Sequence, residues 1–145
     1  DFTQEFLVTG RYSAEQLELH QVDPGMEVRI DPSHLRQILW NLCENAFHHA
    51  VAGPGDRVAI RVGRLAGSNR PFLEVQDRGP GIAASLVDRI FEPFFTLRAS
   101  GTGLGLFVAR ELAQCNGALL VFEPRAGGGS TFRIVFADPQ RWEQS

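Results

Sequence analysis

Asp77 closes the alternating run Phe72-Leu73-Glu74-Val75-Gln76-Asp77 and stands directly before a two-glycine turn, Arg78-Gly79-Pro80-Gly81-Ile82. Side chains of a strand alternate faces, so Asp77 shares a face with Leu73 and Val75. If that aliphatic face is inward, the carboxylate is buried at the strand's end, where an unpaired charge is costly. It then needs a hydrogen-bond donor, such as the exocyclic amino group of adenine. The same residue also fits an aspartate capping its own following turn. Downstream, Gly101-Thr102-Gly103-Leu104-Gly105-Leu106 opens a helical pattern. A helix start presents free backbone N–H groups and a positive dipole end, which suit phosphates. Glycines inside it cost roughly 1 kcal/mol each in helix stability. Close approach of a ligand to the backbone would explain that cost, although a flexible hinge would too. A carboxylate for a base and a glycine-led helix for phosphates together suggest a purine nucleotide site.

A second group lies on an earlier helical pattern. Asn41, Asn45 and His48 recur at i, i+4 and i+7, with Glu44 beside them. Asparagine is a mediocre helix former. Its amide oxygen is a hard, neutral ligand suited to Mg²⁺, which keeps several waters and shares phosphate oxygens. A solvated helix face with no task is the alternative reading. His48 and His49 are adjacent and do not share a face. Phe91-Glu92-Pro93-Phe94-Phe95-Thr96 places aromatics near the glycine loop, as pocket wall or as packing under a loop. Arg98, between that segment and the glycines, can reach a phosphate or serve as a plain surface arginine. No Cys/His spacing matches a zinc site, and no nucleophile–base pair reads as hydrolase chemistry.

One absence narrows the choice. The chain has no lysine, and all 14 basic residues are arginine. A Walker A loop and a protein-kinase-like fold both need a lysine, so both are excluded. The glycine string is not Gly-x-Gly-x-x-Gly and does not follow a strand, which excludes a Rossmann site. The 145 residues suffice for one domain with a real core. A net charge of −3 argues against nucleic-acid binding. No apolar run approaches the roughly 20 residues of a membrane span. The opening Asp1-Phe2-Thr3-Gln4-Glu5 lacks a basic-then-apolar leader. Its missing Met and mid-pattern start predict a piece of a longer protein. Cys43 and Cys115 fall in helical patterns, and two buried thiols would fit a reducing cytoplasm.

The elements that must position these residues follow from periodicity. A short helix is predicted over residues 2–9. Strands are predicted over 16–21 and 27–30, split by the turn Asp23-Pro24-Gly25. Asp31-Pro32-Ser33 starts a long helix to about Ala50, with Leu35, Ile38, Leu39, Leu42 and Ala46 as its core stripe. After a breaker-rich loop, 57–65 and 72–77 read as a hairpin, with Val58, Ile60 and Val62 on one face. A short helix over 83–90 and an irregular 91–100 precede the helix 103–115, which Asn116-Gly117 ends. A final hairpin pairs 118–123 with 130–136 around Gly127-Gly128-Gly129.

In order and spacing these segments resemble the catalytic ATP-binding domain of bacterial sensor histidine kinases, related to the chaperone, gyrase and mismatch-repair ATPases. The resemblance covers nearly the whole chain. Residues 37–46 resemble the family's N box, 77–82 its G1 box, 91–96 its F box and 101–106 its G2 box. It implies a Bergerat-type α/β (α+β) two-layer sandwich: a mixed sheet of about five strands with helices on one face and nucleotide between helices and lid. It implies Mg²⁺ at Asn45, Asn41 near the phosphates and Asp77 on the adenine amino group. Gly79, Gly81 and Ile82 would shape the base pocket. Phe94, Thr96, Arg98, His48 and His49 would join the ATP site, and Gly101, Thr102, Gly103, Leu104, Gly105 and Leu106 would cradle phosphates. Glu44 would assist as general base. Thr131 resembles a base-pocket residue, although strand parity puts it off the Phe132, Ile134 and Phe136 face.

The resemblance further implies transfer of the ATP γ-phosphoryl group to a histidine on a neighbouring dimerisation domain, then to a response regulator. None of His20, His34, His48 or His49 has the context of the phosphorylated histidine, so the chain is expected to bind ATP or ADP without phosphorylating itself. The full-length protein would be a membrane-anchored homodimer in the inner membrane with this domain in the cytoplasm, and the isolated chain a monomer. Many members carry a lysine where His48 stands; Arg98 could compensate. The short lid between Thr96 and Gly101 resembles the nitrogen-sensor and pilus-sensor branch. A related chaperone- or repair-type ATPase, an anti-sigma-type serine kinase and a nucleotide-sensing module without phosphotransfer are the rival readings.

Overall fold

The computed structural model describes residues 17–21, 28, 30–49, 58–96, 103–125 and 127–137. Its elements are β1 (Leu17–Gln21), α1 (Pro32–His49), β2 (Val58–Arg64), β3 (Pro71–Asp77), a 3-10 helix (Ala84–Arg89), α2 (Gly105–Cys115), β4 (Leu119–Pro124) and β5 (Ser130–Val135). The expected helix over 2–9, the turn at 23–25 and the loop 51–56 lie outside the described residues. Val28 and Ile30 are described and are not in a strand, so no strand is seen over the described part of 27–30.

The five strands form one mixed sheet in the order β1-β2-β3-β5-β4. β1 pairs parallel with β2, and the other pairings are antiparallel. A parallel pair needs a long crossover, and α1 lies in that connection. Register sorts the side chains cleanly. Ile60 and Val62 face Val75 and Leu73, which face Phe132 and Ile134. This apolar face packs against the helices: Ile38, Leu42, Cys43 and Ala46 of α1 and Ala109 and Ala113 of α2 join it in one core. In α2 the fully buried positions are the two alanines, while Val108 and Leu112 are half-buried. Small side chains let that helix approach closely, and the larger ones seal the edges of the contact.

The opposite face of the sheet mixes apolar residues such as Ala59, Phe72 and Val135 with a charged cluster. Glu74 is 2% exposed there. Its Oε2 accepts from Arg133 Nη2 at 2.6 Å and Nε at 2.8 Å, and its Oε1 from Arg61 at 3.3 Å. A buried carboxylate tolerates its desolvation only with such partners. Arg133 also donates to Glu123 at 2.9 Å. Glu123 first, and then Glu74, hold the Arg133 guanidinium above its usual range, against the effect of burial.

The start of α1 and the end of α2 are capped as their sequences require. Asp31 Oδ1 accepts from the Ser33 N–H at 2.8 Å, the Ser33 hydroxyl at 2.6 Å and the His34 N–H at 3.3 Å, which opens α1. Those bonds, led by the Ser33 hydroxyl, hold the exposed Asp31 carboxyl below the usual range. At the end of α2, Gly117 adopts φ +72°. Its N–H reaches the Gln114 carbonyl at 3.1 Å and the Ala118 N–H reaches Ala113 at 2.9 Å, a Schellman closure. Asn116 then ties this end of α2 to the start of α1. Its Oδ1 accepts from the Asp31 N–H at 3.0 Å and its Nδ2 donates to the Leu112 carbonyl at 2.7 Å. Those two backbone groups fix the amide's orientation, so His34 Nδ1, 3.0 Å from Nδ2, is the acceptor.

The two cysteines differ. Cys43 is buried, and burial pushes its thiol up to about 12, with Glu44's charge adding to the effect. Cys115 is exposed, which corrects the expectation of two buried thiols. It lies two residues past Ala113, on the far side of the helix from the alanine row.

The Asn116 side chain makes three bonds, two to the start of α1 and one to the last turn of α2, so Asn116→Ala should destabilise the fold by about 1–3 kcal/mol. A Cys115→Ser control should stay within about 0.5 kcal/mol in the same denaturant titration.

Candidate functional site

Asp77 ends the central strand of the sheet, on the helix-packed face, and is 1% exposed. The inward orientation expected from alternation holds. So does the turn-capping alternative, because Asp77 Oδ1 accepts from the Gly79 N–H at 2.8 Å. The carboxylate is therefore oriented by the backbone of its own turn before any ligand is considered.

The β4–β5 turn closes over this point. Gly129 adopts φ +104°, and a Cβ there would collide with the Asp77 carbonyl oxygen and the Arg78 Cα. Gly81 adopts φ +75°, and a Cβ on it would stand 3.4 Å from the Gly129 carbonyl oxygen. Two glycine-bearing turns about fifty residues apart in sequence thus touch through their backbones. Ser130 is the register partner of Asp77, buried on the same face. Ile82 packs against the core just beyond.

The asparagine row meets the glycine-led helix directly. Asn41 Nδ2 donates to the Gly105 carbonyl at 3.0 Å, across 64 residues of sequence. Gln37 Nε2 donates to Asn41 Oδ1 at 2.8 Å. Asn45 lies one turn further along α1, half-buried, with Glu44 beside it. α2 opens without a side-chain cap, and its first turn begins with Val108 N–H to Leu104 carbonyl at 2.8 Å. Its first N–H groups therefore point out of the helix end unclaimed by a cap. Gly105 has no left-handed φ, and among the described residues nothing lies within 4 Å of where its Cβ would sit. Packing among the described residues does not require glycine there. Leu106 packs inward against the core.

The segment 91–96 is fastened to the same loop. The Phe94 N–H donates to the Gly103 carbonyl at 2.8 Å. Gly103 adopts φ +75°, and a Cβ on it would collide with the Phe94 backbone. Phe94 itself has φ +68° and a side chain 75% exposed, so it meets the loop through its backbone. Phe91 stands edge-on to Phe132 at 6.1 Å, with the Arg110 guanidinium 5.2 Å from its ring centroid. Arg89 stacks on Phe95 at 4.7 Å. Thr96 is exposed at the end of the described stretch.

A divalent ion has no protein cage here: no cluster of three His, Cys, Asp or Glu residues is found among the described residues. Asn45's amide oxygen is a hard, neutral donor, half-buried on α1 beside the Glu44 carboxylate. That donor set fits Mg²⁺, which takes few protein ligands and completes its shell with phosphate oxygens and water.

One site assignment is corrected. Thr131 pairs with Gln76 and accepts from Gln76 Nε2 at 3.3 Å, on the sheet face away from Asp77. The inward hydroxyl beside Asp77 is Ser130. The signal was in the sequence, since the parity that sets Thr131 off the Phe132 face sets Ser130 on it. His48 and His49 are helical, with side chains outside the described set. Arg98, Gly101 and Thr102 are also outside it.

Comparison with known proteins agrees with this geometry. The model of the histidine kinase-, DNA gyrase B- and HSP90-like ATPase family matches residues 30–140. The sensor protein kinase PilS of Pseudomonas aeruginosa is 40% identical over 127 residues, covering 87% of this chain and 24% of its own length. The sensor histidine kinase ZraS of Escherichia coli is 36% identical over 131 residues, covering 86% of this chain and 27% of its own. The chain thus spans about a quarter of these relatives. Among solved structures, the mycobacterial sensor histidine kinase MprB superposes with TM-score 0.75 at 25% identity, covering 93% of this chain and 91% of that one. Full-length ShkA in complex with AMPPNP gives TM-score 0.72 at 28% identity, covering 93% of this chain and 28% of that one. With matches of this extent, the chain belongs to the histidine kinase-, DNA gyrase B- and HSP90-like ATPase family.

Proposed function

We propose that this chain is the ATP-binding catalytic domain of a two-component sensor histidine kinase. The observation that carries the reading is the hydrogen bond from Asn41 to Gly105, which joins the candidate metal-binding row to the start of the glycine-led helix. The full-length sensor kinases it resembles, and a structural neighbour in complex with an ATP analogue, support it.

In this reading Asp77 accepts a hydrogen bond from the adenine amino group, and Gly79, Gly81 and Ile82 line the base. The first N–H groups of α2 hold the triphosphate. Asn45 supplies the protein ligand to Mg²⁺, which neutralises phosphate charge. Glu44 assists removal of a proton from the accepting imidazole. That nitrogen forms a bond to the γ-phosphorus as the bridging P–O bond breaks, and ADP leaves. The accepting histidine belongs to a separate dimerisation domain, from which a response-regulator aspartate takes the phosphoryl group. The domain would face the cytoplasm in a membrane-anchored homodimer of the pilus-sensor type. Catalysis rests on positioning and charge neutralisation.

Labelled ATP, added with the helical dimerisation domain in trans, tests the reading. Acid-labile phosphohistidine is expected. Free phosphate alone would make the chain an ATPase, and binding without transfer a sensing module.

Asp77→Asn keeps the Oδ1 bond to Gly79 but loses the charged acceptor. ATP affinity should fall by about 1.5–3 kcal/mol, about ten- to a hundredfold, in calorimetry. Unchanged affinity would remove Asp77 from base recognition.

Asn45→Ala should abolish most of the Mg²⁺ dependence of binding, measured by titrating ATP with and without the metal. A retained dependence would place the ion elsewhere.

A further inference from the structure

Gln37 is exposed, carries no charge and lies outside the residues assigned to the nucleotide. A substitution at such a position is ordinarily silent. Its hydrogen bonding argues otherwise. An asparagine amide presents an acceptor at one end and donors at the other, and only its neighbours decide which end faces which way. Asn41 faces the Gly105 carbonyl, which can only accept, so Asn41 must offer Nδ2 there, as it does at 3.0 Å. That orientation turns Oδ1 toward Gln37, whose Nε2 donates to it at 2.8 Å. The two bonds support each other. If the amide turned over, its oxygen would meet the Gly105 oxygen and the tie between α1 and α2 would open.

Gly105 is the first residue of α2, and the space where its Cβ would sit is open among the described residues. The tie therefore sets where the uncapped N–H groups of α2 stand relative to Asn45, one turn along α1. We infer that Gln37 is a positioning residue for the phosphate cradle: it orients the Asn41 amide so that Asn41 holds the start of α2 in register with the metal-binding row. The inference rests on the nucleotide reading above for its function, but the tie itself exists without ligand.

Two measurements on this chain test it. In amide and side-chain NH₂ spectra without nucleotide, Gln37→Met and the near-isosteric Gln37→Glu should both move the Asn41 side-chain signals and the Gly105 and Leu106 amides. Glu offers only acceptors and so favours the turned-over amide. The thermal midpoint should stay within about 2 °C of the parent. In calorimetry with Mg²⁺, Gln37→Met should weaken ATP binding about threefold, the worth of a fraction of one hydrogen bond. In an Asn41→Ala background the same substitution should do nothing further, because Gln37 acts through Asn41. Unmoved Asn41 and Gly105 signals in both variants would overturn the inference. So would an affinity loss that persists in the Asn41→Ala background. If the parent chain binds no ATP, the nucleotide reading fails, and the spectra still decide whether the tie exists.

Discussion

A carboxylate buried at the end of the central strand is the constraint around which this molecule is arranged. Burial of an uncompensated charge is among the most costly events in folding. β3 carries two such carboxylates on opposite faces, and they are handled differently. Glu74 is met by the guanidinium groups of Arg61 and Arg133. Asp77 is oriented by the N–H of Gly79, two residues on, under a glycine turn from the other end of the chain. The first arrangement fastens the open face of the sheet. The second holds an anionic acceptor in a fixed direction at the end of the helix-covered face.

The two helices above that face are held by neutral amides at both ends of their contact. Asn116 joins the end of α2 to the cap of α1, and Asn41 joins the start of α2 to the middle of α1. Between these ties lie the alanines of α2 and the aliphatic stripe of α1. Amide ties of this kind fix register without introducing charge, and the start of α2 carries its dipole without a side-chain cap.

Alternation and helical period were enough to read the strand order of faces, the N-cap at Asp31, the Schellman end at Asn116-Gly117 and the inward direction of Asp77. Each depends on neighbours within a few residues. What the sequence hid depends on register between distant segments. Strand parity already put Ser130 on the inward face and Thr131 off it; that Ser130 stands opposite Asp77 was hidden, because it depends on how β5 aligns with β3. Gly129 reads as turn chemistry, yet its positive φ serves an approach to the Asp77 backbone that no local pattern announces. Cys115 fell in a helical pattern but on its outer side, because the buried row of α2 is built on alanine rather than on its larger residues. Phe94 looked like a pocket wall; its ring points outward and its backbone makes the contact.

The seating of Gly129 on Asp77 has a consequence for biosynthesis. The acid is made about fifty residues before the turn that encloses it and the strand that pairs with it, which are among the last described parts to be made. A nascent chain that ends before β5 has β3 with one vacant edge and its carboxylate uncovered. The enclosure of this carboxylate is therefore completed only when the β4–β5 hairpin has been added and has paired with β3.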